Sequence, residues 1–309
     1  MIRRSATLLF AEAQRSMTWK RVVTAIVLIP VVIALVLAAQ TAWVSLAVAL
    51  VTLLALFEFF ALGEAIGHRA YRFWTAACAL LLVYVQYLLA MDAQHSVGEL
   101  LPLHRIFGLF TLPTPAVGDV FFIFLMGIAI LTLATRRPMV EALPAAGISS
   151  AGLLLVALPL TLAVRLHGIA LAGKYLLLYS LVITWIGDTA AYFVGRAIGR
   201  HTFAPHLSPK KSWEGAAASF AGSVLVAIVI AATHLVNIAT IHLVGIAAVA
   251  NIAGQIGDLL ESAYKRSAGV KDSGALLPGH GGVLDRIDAL ILAIPVVWYY
   301  WLWIYSPRA

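Results

Sequence analysis

Charge is scarce in this chain. Only 11% of its 309 residues are Asp, Glu, Lys or Arg, while 62% are hydrophobic. Soluble domains carry about 25% charged residues. At a mean hydropathy of +0.96 the chain cannot cover itself with polar surface in water, which excludes an ordinary soluble globular domain. Cysteine is nearly absent. The single Cys78 lies inside an apolar run, which excludes an internal disulfide and a cysteine-based zinc site. No internal repeat, heptad or low-complexity tract is evident. The net charge is +7, but no aromatic–basic alternation accompanies it. The cation bias of cytoplasmic loops accounts for that charge, so no nucleic-acid partner is expected.

What is present is a series of apolar runs long enough to cross a bilayer. They fall at 22–39, 43–62, 73–91, 120–135, 145–164, 175–195, 214–234, 240–258 and 288–305. The expected fold is all-α, a polytopic membrane protein of about nine spanning helices. The run 22–39 is too long for a signal-peptide core and lacks a small-residue cleavage site, so it reads as a retained first helix after a basic segment, Met1–Lys20. Pro102, Pro113 and Pro115 break the stretch 92–119 into an extramembrane loop with an interfacial helix. Residues 298–305 are rich in Trp and Tyr, as an interfacial belt requires.

With the N-terminus cytoplasmic, every Lys and Arg except Arg105, Arg165, Lys174 and Arg308 falls on the inside. That asymmetry sets the orientation and puts the segments 196–213 and 259–287 together on the cytoplasmic side. The chain divides accordingly into N-terminal helices, 1–172, and a C-terminal region, 173–309, that carries the chemistry.

Acids inside apolar runs are costly and point to function. Asp188 lies within one run, Asp258 ends another, and Glu58 interrupts a third. For Glu58 the plainer reading is a carboxylate at a helix end that reaches water. Asn251, Gln255, Asp258 and Ser262 stack on one helical face, as either a site or an interhelical hydrogen-bonding stripe. Residues 257–288 combine Asp258 and Asp285 with Lys265, Arg266, Lys271 and Arg286 and with Gly279, Gly281 and Gly282. Hard carboxylate oxygens suit Mg²⁺ together with substrate phosphates, the cations suit phosphates, and glycines let backbone N–H groups approach an anion. This set fits Mg²⁺-assisted phosphoryl or nucleotidyl transfer. Lys210 and Lys211, with the hydroxyls of Ser208 and Ser212, precede a helix starting near Trp213 and read as a phosphate-binding turn.

The same stretch resembles the signature of the phosphatidate cytidylyltransferase (CDP-diacylglycerol synthase) family. Ser262, Lys265–Arg266, Lys271–Asp272, Gly274, Pro278, His280–Gly281–Gly282, Asp285–Arg286 and Asp288 carry the likeness. It extends to Gly257–Asp258, to 185–192 and to 208–215, which includes Glu214, and so covers about the last 130 residues. Tyr264 departs from the family's aliphatic or Phe. The resemblance implies transfer of CMP from CTP to phosphatidic acid, giving CDP-diacylglycerol and pyrophosphate at the inner (cytoplasmic) membrane of a bacterium. It implies Asp258 and Asp285 as ligands of Mg²⁺, with a second cation conceivable beside it. Lys265, Arg266, Lys271, His280 and Arg286 are the remaining catalytic candidates. Ser208, Lys210, Lys211, Ser212, Glu214, Asp188, Ser262, Gly281 and Gly282 are the substrate-binding candidates, and the resemblance suggests a homodimer. The alternatives are another CTP-dependent lipid or polyprenol phosphotransferase and, in a different class, an ion-coupled transporter.

Overall fold

In a bilayer every backbone polar group must be satisfied within the segment, so long apolar runs become helices. The computed structural model describes residues 26–92, 115–135, 137–233, 238–276 and 281–305. Among them no strand forms beyond one isolated bridge, Thr202 to Ser212. A short apolar helix α1 (Ile26–Ala38) is followed by eight helices long and apolar enough to span. These are α2 (Thr41–Ala65), α3 (Arg72–Asp92), α4 (Val117–Ala134), α5 (Met139–His167), α6 (Gly173–Ile198), α7 (Trp213–Ala232), α8 (Thr240–Ser267) and α9 (Leu284–Tyr305). The chain is a polytopic all-α membrane protein. The basic N-terminus and the proposed interfacial helix before α4 lie outside the described residues.

Two helices run further than their apolar runs suggested. Helix α8 continues to Ser267 and α9 starts at Leu284. Ser262, Lys265 and Arg266 therefore stand on a helix and not in the loop expected at 259–287. Polar residues carry α8 onward because they recur every three or four positions on one face, where they find partners on neighbouring helices.

Helix α6 packs along α7, and α8 along α9 and α7. Two apolar cores result. One gathers Val36, Val44 and Leu162–Leu166 with Leu176, Ile183, Leu243 and Ile246. The other gathers Leu56, Phe60, Leu82, Val120 and Leu153. Helix α9 belongs to both, through Val297 in the first and Leu284 and Ile291 in the second. The first core mixes helices from either side of position 172.

At one end of the bundle, Arg137 Nη1 donates to Arg69 O (2.6 Å) and Arg266 Nε to Leu207 O (3.1 Å). This end also holds the signature residues. At the other end His167 ties three helices together. Its Nε2 lies 3.0 Å from Val36 O, and its Nδ1 lies 3.1 Å from Thr41 Oγ1. A carbonyl only accepts, so Nε2 carries the proton and Nδ1 accepts from the threonine. Replacing this buried ring by leucine strands the Val36 carbonyl and the Thr41 hydroxyl. His167→Leu is expected to cost about 1–3 kcal/mol. Thermal unfolding in detergent should show a lower midpoint, and an unchanged midpoint would remove the tie from the account.

Candidate active site

The signature end of the bundle is organised by where its carboxylates find partners. Asp285, in the first turn of α9, is 9% exposed. Its Oδ1 accepts from Lys265 Nζ at 2.6 Å. Its Oδ2 accepts from the backbone N–H groups of Ser273 (2.9 Å) and Gly282 (2.8 Å). Lys265 simultaneously pairs with Glu261 one turn earlier on α8. Glu261 is 3% exposed, and neither of its oxygens has a well-aligned hydrogen-bond donor. Lys265 is thus enclosed by two carboxylates.

The glycines follow from this arrangement. Gly281 has φ +79°, a left-handed conformation that favours glycine. A Cβ there would lie 2.6 Å from Asp285 Oδ2. At Gly282 a Cβ would overlap Glu58 and Ser273. Close backbone approach to an anion was expected, and the anions approached are the protein's own carboxylates. Gly279, Pro278 and His280 lie outside the described residues.

Glu58 of α2 is the second anion. It does not simply reach water. Its Oε1 accepts from Val283 N at 2.9 Å. Its Oε2 accepts from Leu284 N at 2.8 Å and Ser273 Oγ at 2.9 Å. Sequence reasoning underrated Glu58 and did not single out Ser273 or Glu261. The only available signal was an acid inside an apolar run, since its partners lie more than 200 residues away.

Asp258 and Asp285 do not share a partner, since Asp258 has a different lysine. Its Oδ2 pairs with Lys211 Nζ at 2.5 Å, and its side chain is 33% exposed. Asp258 and Lys211 line a cleft of about 310 Å³ with Asp188, Lys210, Tyr192 and Phe203, and Asp285 is not part of its lining. Asp188 lies within Coulombic reach of Asp258, Lys211 and Arg286. The cleft draws on α6, on the loop before α7 and on α8, the three segments the sequence had marked.

The loop is held by its own chain. Phe203 N donates to Lys211 O (3.3 Å) and Trp213 N to His201 O (2.8 Å). Glu214 accepts from the His201 backbone and lies 2.7 Å from its Nδ1. Ser212 is the N-cap of α7, accepting from Gly215 N. Ser212 and Glu214 are therefore engaged in building the turn, while Ser208 O accepts from Lys211 N. Ser262 is buried on α8. Arg266 braces the loop through Leu207 O and also donates to Val270 O, just past the end of α8. Lys210, Lys271 and Arg286 are exposed and have no hydrogen bond or ion pair to the described residues.

Beneath the cleft the polar stripe is an interhelical network. Asn251 Nδ2 donates to Ser219 Oγ and Ser223 Oγ, both at 2.9 Å, and Gln255 Nε2 donates to Asn251 Oδ1 at 2.6 Å. Asn251 and Gln255 find their partners on α7, Asp258 finds Lys211 in the loop before it, and Ser219 and Gln255 also reach the cleft.

A membrane helix bundle with a lysine- and aspartate-lined cleft at the end of its spans is suited to handling phosphate-bearing groups. The chain belongs to the cytidylyltransferase family, whose model matches residues 19–304. It is similar to phosphatidate cytidylyltransferases of Haemophilus influenzae (44% identical over 141 residues, 43% of this chain and 47% of the relative) and Brucella suis (40% over 181 residues, 57% and 63%). It is likewise similar to that of Staphylococcus saprophyticus (41% over 125 residues, 40% and 48%). The chain spans about half the length of the curated relatives it matches.

The buried triad gives a sharp test. Removing one partner of a buried ion pair costs roughly 3–5 kcal/mol. Lys265→Met is expected to lower the unfolding midpoint strongly, and adding Glu261→Gln should recover part of the loss. Equal midpoints for the single and double variants would show that Glu261 does not depend on Lys265.

Proposed function

We propose that the chain transfers CMP from CTP to phosphatidic acid, yielding CDP-diacylglycerol and pyrophosphate, in phospholipid biosynthesis. The observation that carries this reading is the Lys211–Asp258 pair at 2.5 Å in the cleft, in a chain of the cytidylyltransferase family whose similar proteins bear the phosphatidate name. A phosphate oxygen of the lipid attacks the α-phosphorus of CTP. A new P–O–P bond forms, the bond from the α-phosphorus to its bridging oxygen breaks, and pyrophosphate leaves with the electron pair. Such a transfer depends on positioning and charge neutralisation.

The donor chemistry fits a divalent ion at Asp258. Its second oxygen has no hydrogen bond from the described residues, and Asp188 is close by. No three His, Cys, Asp or Glu among the described residues form a ready cage. Mg²⁺ commonly takes only one or two carboxylates and completes its shell with waters and substrate phosphates. Asp285 has three donors on its two oxygens, so it has at most one acceptor site left of about four. Mg²⁺ bound at Asp258 would polarise the α-phosphoryl group and offset charge on the leaving pyrophosphate. Lys210 and Lys211 bind phosphate oxygens, and Lys271 and Arg286 add positive charge where the triphosphate or the lipid headgroup arrives.

The cleft faces the cytoplasm in this proposal, where CTP is available, in the inner membrane of a bacterium, and the protein acts as a homodimer. Orientation is testable in a Cys78→Ser background. Lys271→Cys should be shielded from a membrane-impermeant maleimide in intact cells, and Lys174→Cys should react. The reverse pattern would invert the topology.

The activity test is product formation by the purified chain with CTP, phosphatidic acid and Mg²⁺. Asp258→Asn is expected to lose nearly all product while remaining folded, and Asp285→Asn to lose product together with a lower unfolding midpoint, since it removes a partner of the buried Lys265. In Asp258→Glu the Mg²⁺ concentration for half-maximal rate should shift. Full activity in Asp258→Asn would take that residue out of the site.

A further inference from the structure

We propose that Glu58 is a positioning residue for the reaction, which gives the N-terminal helices a part in catalysis. This rests on the activity proposed above. Glu58 stands on α2, outside the region that carries the signature. Yet its two oxygens take the hydroxyl of Ser273 and the N–H groups of Val283 and Leu284. These donors come from within the segment between α8 and α9, at Ser273, and from the start of α9, at Val283 and Leu284. One side chain thus ties the segment at Ser273 to the start of α9 and caps the N-terminus of that helix from another helix.

Ser273 connects this clamp to Asp285. Its hydroxyl donates to Glu58, and its backbone N–H donates to Asp285 Oδ2. Gly282, whose N–H is the other donor to Asp285 Oδ2, immediately precedes Val283, which Glu58 holds. The position of the Asp285 carboxylate, and through it that of Lys265, therefore depends on an acid more than 200 residues earlier. A carboxylate suits the task chemically. It accepts on both oxygens and donates nothing, so three converging donors find acceptors and meet no competing hydrogen. Its negative charge is also favourable at a helix N-terminus. Gly274 and Gly282 conform to the clamp. A Cβ at Gly274 would lie 2.6 Å from Glu58 Oε1.

Glutamine at position 58 keeps the shape but turns one acceptor into a donor facing an N–H or O–H. Glu58→Gln should lower kcat about 10- to 100-fold, the effect expected of small displacements of reacting groups, with a much smaller change in KM for CTP. Hydrogen exchange should rise in peptides covering 281–288 while peptides from the middle of α6 and α8 stay protected. Glu58→Asp, which restores the charge but is shorter by one methylene, should recover part of the rate lost in Glu58→Ala. His167→Leu at the opposite end of the bundle is the control. It should lower the thermal midpoint and leave kcat unchanged. Local exchange with a selective fall in kcat supports positioning. The proposal is overturned by wild-type kcat in Glu58→Gln, by exchange rising throughout the protein, or by an equal kcat loss in His167→Leu. If the wild-type chain makes no CDP-diacylglycerol, the activity reading fails. The exchange pattern then decides alone whether Glu58 orders this segment.

Discussion

Carboxylates near the low-dielectric interior of a helix bundle are tolerated only when cations or converging donors compensate them. The signature end of this protein is arranged around that constraint. Glu58 is compensated by two amides and a hydroxyl, and Asp285 by two amides and a lysine. Glu261 relies on the same lysine, and Asp258 on Lys211. The Glu58 and Asp258 contacts join segments distant in sequence, and Lys265 joins α8 to α9 through Asp285. Taken together they fix the relative positions of α2, α8, α9 and the loop before α7.

The two lysines differ in a way that separates support from chemistry. Lys265 is 12% exposed and has carboxylates on two sides. A phosphate approaching it would compete with two anions already in place. Lys211 has one carboxylate partner, is 24% exposed and faces the cleft beside the exposed Lys210. An incoming phosphate or divalent ion needs only to replace or bridge that single contact. Lys211 is therefore the lysine of the pair that lines the cleft, and Lys265 keeps Asp285 and α9 in register.

The spanning helices and their approximate limits were legible because apolar runs of bilayer length leave a backbone few options. The cleft was legible in part. Asp188, Lys210, Lys211 and Asp258 were marked in the sequence, and they line one cavity. The polar stripe on α8 was visible as a spacing, but its satisfaction by Ser219 and Ser223 was not, because an interhelical partner leaves no periodic mark on the helix it serves. The ends of α8 and α9 were misjudged for a related reason. Hydropathy records where lipid ends, whereas a helix continues for as long as its polar face has partners. Glu58 was read as a solvated acid because nothing local distinguishes a carboxylate reaching water from one reaching a loop beyond position 270.

Signature glycines of this kind invite the reading that backbone amides cradle substrate phosphate. The described amides instead bind carboxylates: Gly282 and Ser273 serve Asp285, and Val283 and Leu284 serve Glu58. The N-terminus of α9 is thus already occupied by internal anions, and a substrate phosphate would have to displace one of them to bind there. Displacing Asp285 would leave Lys265 with Glu261 alone, and displacing Glu58 would release Ser273 and the start of α9 from each other. Phosphate binding at the other helix start is less costly. Ser212 caps α7 through a single contact to Gly215, and Lys210 and Lys211 adjoin it in the cleft. The two helix starts therefore differ: that of α7 adjoins two lysines in the cleft, and that of α9 is held by internal carboxylates.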